Sequence, residues 1–119
     1  MKLSNREFER IVKEAVEGLP KPIREKLKRT VFVVQDDMTK ELRSEFGEEL
    51  LGLYRGHNLL ERGEGEPLFP DEITLFKNPI ESEAEDRDHL IEIIQDTVLH
   101  EVGHFLGLDE DELEEMGLG

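Results

Sequence analysis

The C-terminal part of the sequence carries a long amphipathic pattern that limits how the chain folds. Across residues 84–106 apolar residues recur every three or four positions, which predicts one helix with Gly107 as its natural stop. Burial of this apolar arc would leave the opposite face of the helix over a cleft. The arc consists of Ile91, Ile94, Val98, Val102 and Phe105.

The N-terminal segment shows the same helical spacing. Ser4, with Glu7 three residues further on, matches a capping box at the start of a helix. Gly18, Pro20 and Pro22 are expected to end it. Its apolar stripe comprises Phe8, Ile11, Val12, Ala15, Val16 and Leu19.

Three short apolar runs between these helices predict strands. Residues 30–34 are rich in β-branched side chains and bounded by charges, which indicates a mostly buried strand. Residues 50–54 predict a second strand and residues 72–76 a third, which Asn78 and Pro79 end. A short helix is expected over residues 39–46. The glycine-rich stretch of residues 55–71 is either a functional loop or a surface excursion.

This order of elements predicts an α+β fold. We expect a mixed sheet of three to four strands, packed on the N-terminal helix and the long C-terminal helix, in a single domain over residues 1–119.

The composition excludes several classes of function. Thirty acidic residues against fifteen basic ones give a net charge of −15, and the basic residues do not cluster. Binding to nucleic acid or to an anionic membrane is therefore not expected. Without cysteine the chain has no disulfide and no thiolate ligand. It also shows no signal peptide and no long apolar run, so we expect a cytoplasmic protein, and no feature indicates its oligomeric state.

The long helix carries the pattern H-E-x-x-H at His100, Glu101 and His104. A helix turns by about 100° per residue, so the two histidines lie on one side, one turn apart, and their imidazoles reach the same point. Zinc suits such a pair of neutral imidazoles. Glu101 lies beside the metal, where its carboxylate can take a proton from a metal-bound water.

A catalytic zinc needs a third protein ligand and an open position for water. Gly107 can adopt the left-handed conformation that turns the chain back, which brings Glu110 towards the metal. Asp109 and Asp111 are its neighbours, and spacing alone does not exclude either of them. In the alternative interpretation these acidic residues form the first turn of a short terminal helix.

These residues carry a family resemblance. The run from His100 to Leu108 resembles the active-site helix and glycine turn of metzincin-type zinc peptidases, with an acidic residue where a third histidine would stand. The chain is more similar to the small bacterial zincin-like metallopeptidases, whose pattern is H-E-x-x-H-x-x-G-x-x-(D/E). The similarity extends through residues 51–56 and 70–76.

The resemblance implies a zincin-like α+β fold with the third strand near the active-site helix. It also implies His100, His104 and Glu110 as ligands of Zn²⁺, with Glu101 as the general base. A zinc-dependent peptidase acting on a peptide or protein substrate is the leading hypothesis. The alternatives are a zinc-binding module or pseudoenzyme that binds a partner without hydrolysis, and a metal-free acidic interaction domain.

Three further interpretations concern residues around the motif. If the strand of residues 73–76 lies at the sheet edge, it would align an extended peptide by backbone pairing. Tyr54 is a candidate donor to the oxyanion, against the alternative that it only packs. Asp96, one turn before His100, is either a hydrogen-bond acceptor that orients His100 or a solvated carboxylate.

Overall fold

A computed structural model of the chain describes residues 2–56 and 71–106, with the backbone alone for residues 104–106. The described residues form five helices and three strands. In chain order they are α1 (Asn5–Glu17), α2 (Lys21–Lys26), β1 (Thr30–Gln35), α3 (Lys40–Phe46), β2 (Gly52–Arg55), β3 (Asp71–Phe76), α4 (Lys77–Glu83) and α5 (Arg87–Leu106).

Helix α1 begins at the predicted cap. The Ser4 hydroxyl accepts a hydrogen bond from the Glu7 backbone N–H at 3.2 Å, and Gly18 caps the other end. The Gln95 side-chain amide donates to the Ala15 carbonyl at 2.9 Å. This bond joins the last turn of α1 to α5, so the two long helices are held together where α1 ends.

Two short helices contain prolines that the sequence analysis assigned to the ends of elements. Pro22 lies in the first turn of α2, and Asn78 and Pro79 lie in the first turn of α4. The first N–H groups of a helix have no partner within it, so proline is tolerated there. Both helices were missed because their prolines were interpreted as the ends of the preceding elements.

Helix α5 begins three residues later than the pattern predicts. Ala84 has an extended backbone at the end of α4. The Asp86 carboxylate then accepts a hydrogen bond from the His89 N–H at 2.8 Å, as a capping side chain does.

The sheet is mixed, as predicted, and its central strand is β3. Strand β1 pairs with β3 in parallel, and β2 pairs with β3 in antiparallel orientation. The interpretation that residues 73–76 align a peptide at the sheet edge is therefore wrong, because both edges of β3 are occupied. The central position of β3 agrees with its burial. Its residues Ile73, Leu75 and Phe76 are fully buried, and β1 and β2 cover its two edges.

The main core lies between one face of the sheet and the helices α1 and α5. A smaller cluster of Met38, Leu42 and Phe76 covers part of the other face. Strand β1 is less buried than predicted, because it is an edge strand and Val31 is 44% exposed. The main core comprises Phe8, Ile11, Val12 and Ala15 of α1, Ile73 and Leu75 of β3, and Leu90, Ile93, Ile94, Val98, Leu99 and Val102 of α5, with residues from α2, α4 and the adjoining turns.

Candidate active site

Helix α5 is continuous through the whole H-E-x-x-H pattern. Its backbone is helical from Arg87 to Leu106, so His100 and His104 are one turn apart on one helix. The neighbouring residues Val98, Leu99 and Val102 are buried, whereas His100 is exposed. The structure thus places His100 outside the core, as the apolar arc predicts.

Glu101 lies against the edge strand β2. Its half-buried carboxylate accepts a hydrogen bond from the Tyr54 backbone N–H, with 3.0 Å between Tyr54 N and Glu101 Oε2. A hydrogen bond to an ionised carboxylate is about twice as strong as one between neutral groups. The contact fixes the position of Glu101 relative to the sheet.

The Tyr54 N–H points away from the sheet. Phe76 N donates to Leu51 O at 2.9 Å, and Tyr54 lies opposite Ile73 in the antiparallel register. Backbone groups alternate in direction along a strand, so Leu53 faces β3 while Gly52 and Tyr54 face the outer edge. Glu101 therefore lies at the outer edge of β2 and not beneath the sheet.

The Tyr54 side chain extends forward along its own chain, towards Gly56. Its hydroxyl oxygen is buried, and its ring packs against the main core. A Cβ atom built on Gly56 would lie 2.1 Å from that oxygen, so glycine at this position makes room for the ring. The structure brings Tyr54 to the motif through its backbone, and the proposed oxyanion role of its hydroxyl remains a prediction.

An acidic row leads along α5 towards His100. Glu92 and Asp96 are exposed and one turn apart, and Asp96 is one turn before His100. Partial burial raises the pKa of the Asp96 carboxyl, and the nearby Glu92 carboxylate raises it further. Asp96 thus has an environment that disfavours its charge.

His89 forms hydrogen bonds at the start of α5, far from the motif. Its Nδ1 accepts a hydrogen bond from the Glu85 N–H at 3.0 Å, and its own N–H donates to Asp86. His100 lies eleven positions further along the helix, which is roughly 16 Å along the axis. His89 therefore supports the helix start and does not belong to the candidate site.

The remaining candidate ligands lie outside what the structure describes. They are the side chain of His104 and the residues Asp109, Glu110 and Asp111. Among the described residues no three His, Asp or Glu side chains come together as a metal site. The choice of Glu110 as third ligand stays a prediction.

Most of the chain matches a known protein family. A family model described as zincin-like metallopeptidase matches residues 27–119, which include β1 to β3 and all of α5. The chain belongs to the zincin-like metallopeptidase family. The predicted resemblance is thereby confirmed, and zinc binding is a general property of zincins.

A solved structure shows the fold of this zincin-like chain in another protein. It is a conserved hypothetical protein from Thermo thermophilus, 19% identical, with a TM-score of 0.59 and coverage of 87% of this chain and 94% of that one. No curated protein matches the chain. Within the described ranges, no helix combines the length and the apolar character needed to cross a membrane.

The described part of this zincin-like site fits zinc. An exposed imidazole at His100, with a second histidine one turn later, supplies the nitrogen ligands that zinc prefers. One contributor was missed by the sequence analysis, namely the backbone N–H of Tyr54. Residue identity does not show a backbone donor, although Gly52 inside the strand is a sign that another element approaches closely.

Proposed function

We propose that this chain is a zinc-dependent peptidase that hydrolyses a peptide or protein substrate with Glu101 as the general base. One observation carries the proposal. The glutamate of the H-E-x-x-H pattern lies at the outer edge of β2, 3.0 Å from the Tyr54 nitrogen. A proton acceptor thus stands beside a strand edge on which an extended peptide can bind.

The ligands proposed for zinc are His100, His104 and Glu110, with Asp109 and Asp111 as alternatives to Glu110. Zinc held there would lower the pKa of a bound water far below that of bulk water, to about 7, and would supply a positive charge that polarises the scissile carbonyl. The chain has no cysteine, so imidazole and carboxylate are the ligand types it offers.

Glu101 has a role that metal binding alone does not require. Two histidines and one further carboxylate complete a zinc site without it. Its carboxylate accepts the proton of the attacking water and delivers this proton to the leaving amine. A general base of this kind contributes a factor of about 10² to 10⁴ to the rate.

The outer edge of β2 is the surface proposed to align the substrate. Gly52 directs its backbone N–H and C=O outward there, so an extended peptide can pair with it as an added strand beside the Tyr54 N–H that Glu101 accepts from. This assigns to β2 the role that the sequence analysis gave to residues 73–76. The net charge of −15 favours peptides that carry positive charge.

The test combines metal analysis with hydrolysis of a broad peptide library. Native protein, Glu101→Gln and a matched control, Glu45→Gln, are compared; Glu45 is exposed on α3. We expect zinc in all three proteins and loss of hydrolysis in Glu101→Gln alone. Zinc in all three with no cleavage by the native protein would favour a zinc-binding module without hydrolysis. Absence of zinc from the native protein would overturn the site itself.

A further inference from the structure

Strand β2 and helix α5 meet at two successive contacts. Gly52 lies against Thr97, and two residues further along the strand Tyr54 donates to Glu101, four residues further along the helix. Two residues of strand span about 6.8 Å and one helical turn about 5.4 Å, so the two contacts are neighbouring points of one interface.

The first contact is too close for any side chain at position 52. A Cβ atom built on Gly52 would lie 2.7 Å from Thr97 Cγ2 and 3.1 Å from the Thr74 carbonyl oxygen. The φ angle of Gly52 is outside the left-handed region, so its backbone conformation does not require glycine. Glycine is needed there because the helix approaches the strand closely.

Thr97 cannot easily turn its methyl group away. Its hydroxyl donates to the Ile93 carbonyl at 2.8 Å, which fixes the side-chain rotamer and keeps Cγ2 directed at Gly52. The contact between the Thr97 methyl group and the Gly52 backbone therefore sets the distance between α5 and β2.

We propose that Gly52 and Thr97 are positioning residues for Glu101. Their contact sets the distance at which the Tyr54 N–H meets the carboxylate, and hence the place of the base beside the outer edge of β2. The functional meaning of this positioning rests on the proposed function of Glu101. The positioning itself is a property of the strand and helix and can be measured without zinc or substrate.

The test is hydrogen exchange of the Tyr54 backbone amide, followed by NMR on the full chain. Glu101→Ala removes the acceptor and gives the exchange rate of the unprotected amide. Gly52→Ala places a methyl group against Thr97 and pushes β2 from α5, so we expect Tyr54 exchange about tenfold faster or more, as in Glu101→Ala. The amide of Leu53, which faces β3, reports in the same sample on detachment of β2 from the sheet.

Rescue separates positioning from general damage to the fold. Thr97→Ser deletes Cγ2 and keeps the hydroxyl that bonds to Ile93. Alone it removes the methyl group that sets the separation, so it should speed Tyr54 exchange, though by less than Gly52→Ala does. Combined with Gly52→Ala, which places a methyl group back at the contact, it should restore exchange to within about threefold of the native rate. If Gly52→Ala does not fold, Thr97→Ile adds bulk from the helix side and should expose the same amide.

Two results would overturn the proposal. One is a Tyr54 amide exchange rate in Gly52→Ala that equals the native rate. If Gly52→Ala does not fold, the same result in Thr97→Ile counts instead. The other is fast exchange that persists in the Gly52→Ala/Thr97→Ser double variant.

In zinc-loaded protein, Gly52→Ala should lower kcat by about a hundredfold with zinc affinity unchanged, since a displacement of about 1 Å can cost that much. If the native protein hydrolyses no peptide, the proposed function fails while the exchange result still decides the positioning.

Discussion

The carboxylate of Glu101 and the backbone N–H of Tyr54 are joined by a hydrogen bond of 3.0 Å across the edge of the sheet. It links the helix that carries the family motif to the single antiparallel strand among the described residues. A side chain that zinc binding does not need is thereby held at the outer edge of β2.

The third zinc ligand is tested by comparing three alanine variants. Glu110→Ala should weaken zinc binding by more than about a hundredfold, since even residues that only support a ligand contribute about 10- to 100-fold. Asp109→Ala and Asp111→Ala should each change the affinity by only a small factor. Competition with a chromophoric chelator measures all three, and equal losses in Glu110→Ala and Asp109→Ala would contradict the choice of Glu110.

Asp96 should make stability fall as pH rises. Its pKa is raised in the folded chain above the ordinary value of 3.8 because burial and Glu92 disfavour its charge. The folded state therefore binds more protons than the unfolded state between the two pKa values, and the free energy of unfolding decreases across that range. Asp96→Asn should remove this loss. Because Asp96 is exposed, the free energy of unfolding should rise by at most about 0.5 kcal/mol at neutral pH. At pH 3 it should not change.

The measurement for Asp96 is urea unfolding at a series of pH values in the presence of a chelator. Asp88→Asn is the comparison with opposite sign: Asp88 lies in the first turn of the same helix, where the helix dipole favours its charge, so its loss should lower stability at neutral pH. A gain at pH 3 as large as that at pH 7 would contradict the explanation.

The ion pair of Lys77 and Glu81 should be costly to break. Lys77 Nζ and Glu81 Oε1 are 2.9 Å apart, with side chains only 9% and 4% exposed, and Glu81 also accepts from the Leu3 N–H at 3.2 Å. Glu81→Ala leaves a buried ammonium group without its counter-charge, so we expect a loss of about 3–5 kcal/mol. Lys77→Met/Glu81→Leu should lose much less, and chemical denaturation of the three proteins checks this. Equal losses in both variants would show that desolvated charge is not the cause.

Gly47 should tolerate asparagine better than alanine. It ends α3 with a φ of 69°, and a Cβ atom there would meet nothing within 4 Å, so the only cost of a side chain is backbone strain. Gly47→Ala should lower the free energy of unfolding by about 1 kcal/mol, and Gly47→Asn by less, because asparagine adopts the left-handed region more readily. Thermal or urea unfolding distinguishes the two, and an unchanged stability of Gly47→Ala would refute the argument.

The elements that the sequence predicted well are those with a long period or a strong local signal. Helix α5 and the Ser4 cap of α1 are confirmed, because an apolar arc and a capping side chain are encoded within a few neighbouring residues. The three strands are also confirmed within one or two residues at their ends.

The parts that could not be predicted depend on contacts distant in sequence. The central place of β3 follows from its pairing with β1 and β2, which the pattern of its own residues does not specify. The contact of Glu101 with the Tyr54 backbone joins residues 47 positions apart, and every non-proline residue has the same N–H donor. The close approach of α5 to Gly52 corresponds to a glycine inside a strand in the sequence. The structure is needed to show which element approaches there.

The central claim is that hydrolysis depends on zinc held beside Glu101. The most direct measurement is the rate of hydrolysis of a library peptide as chelated protein is reloaded with increasing zinc. We predict no hydrolysis in the chelated protein and a rate that rises in proportion to bound zinc until about one ion per chain is held, with Glu101→Gln inactive at the same occupancy. Full hydrolysis by the chelated protein, or by zinc-loaded Glu101→Gln, would contradict the account.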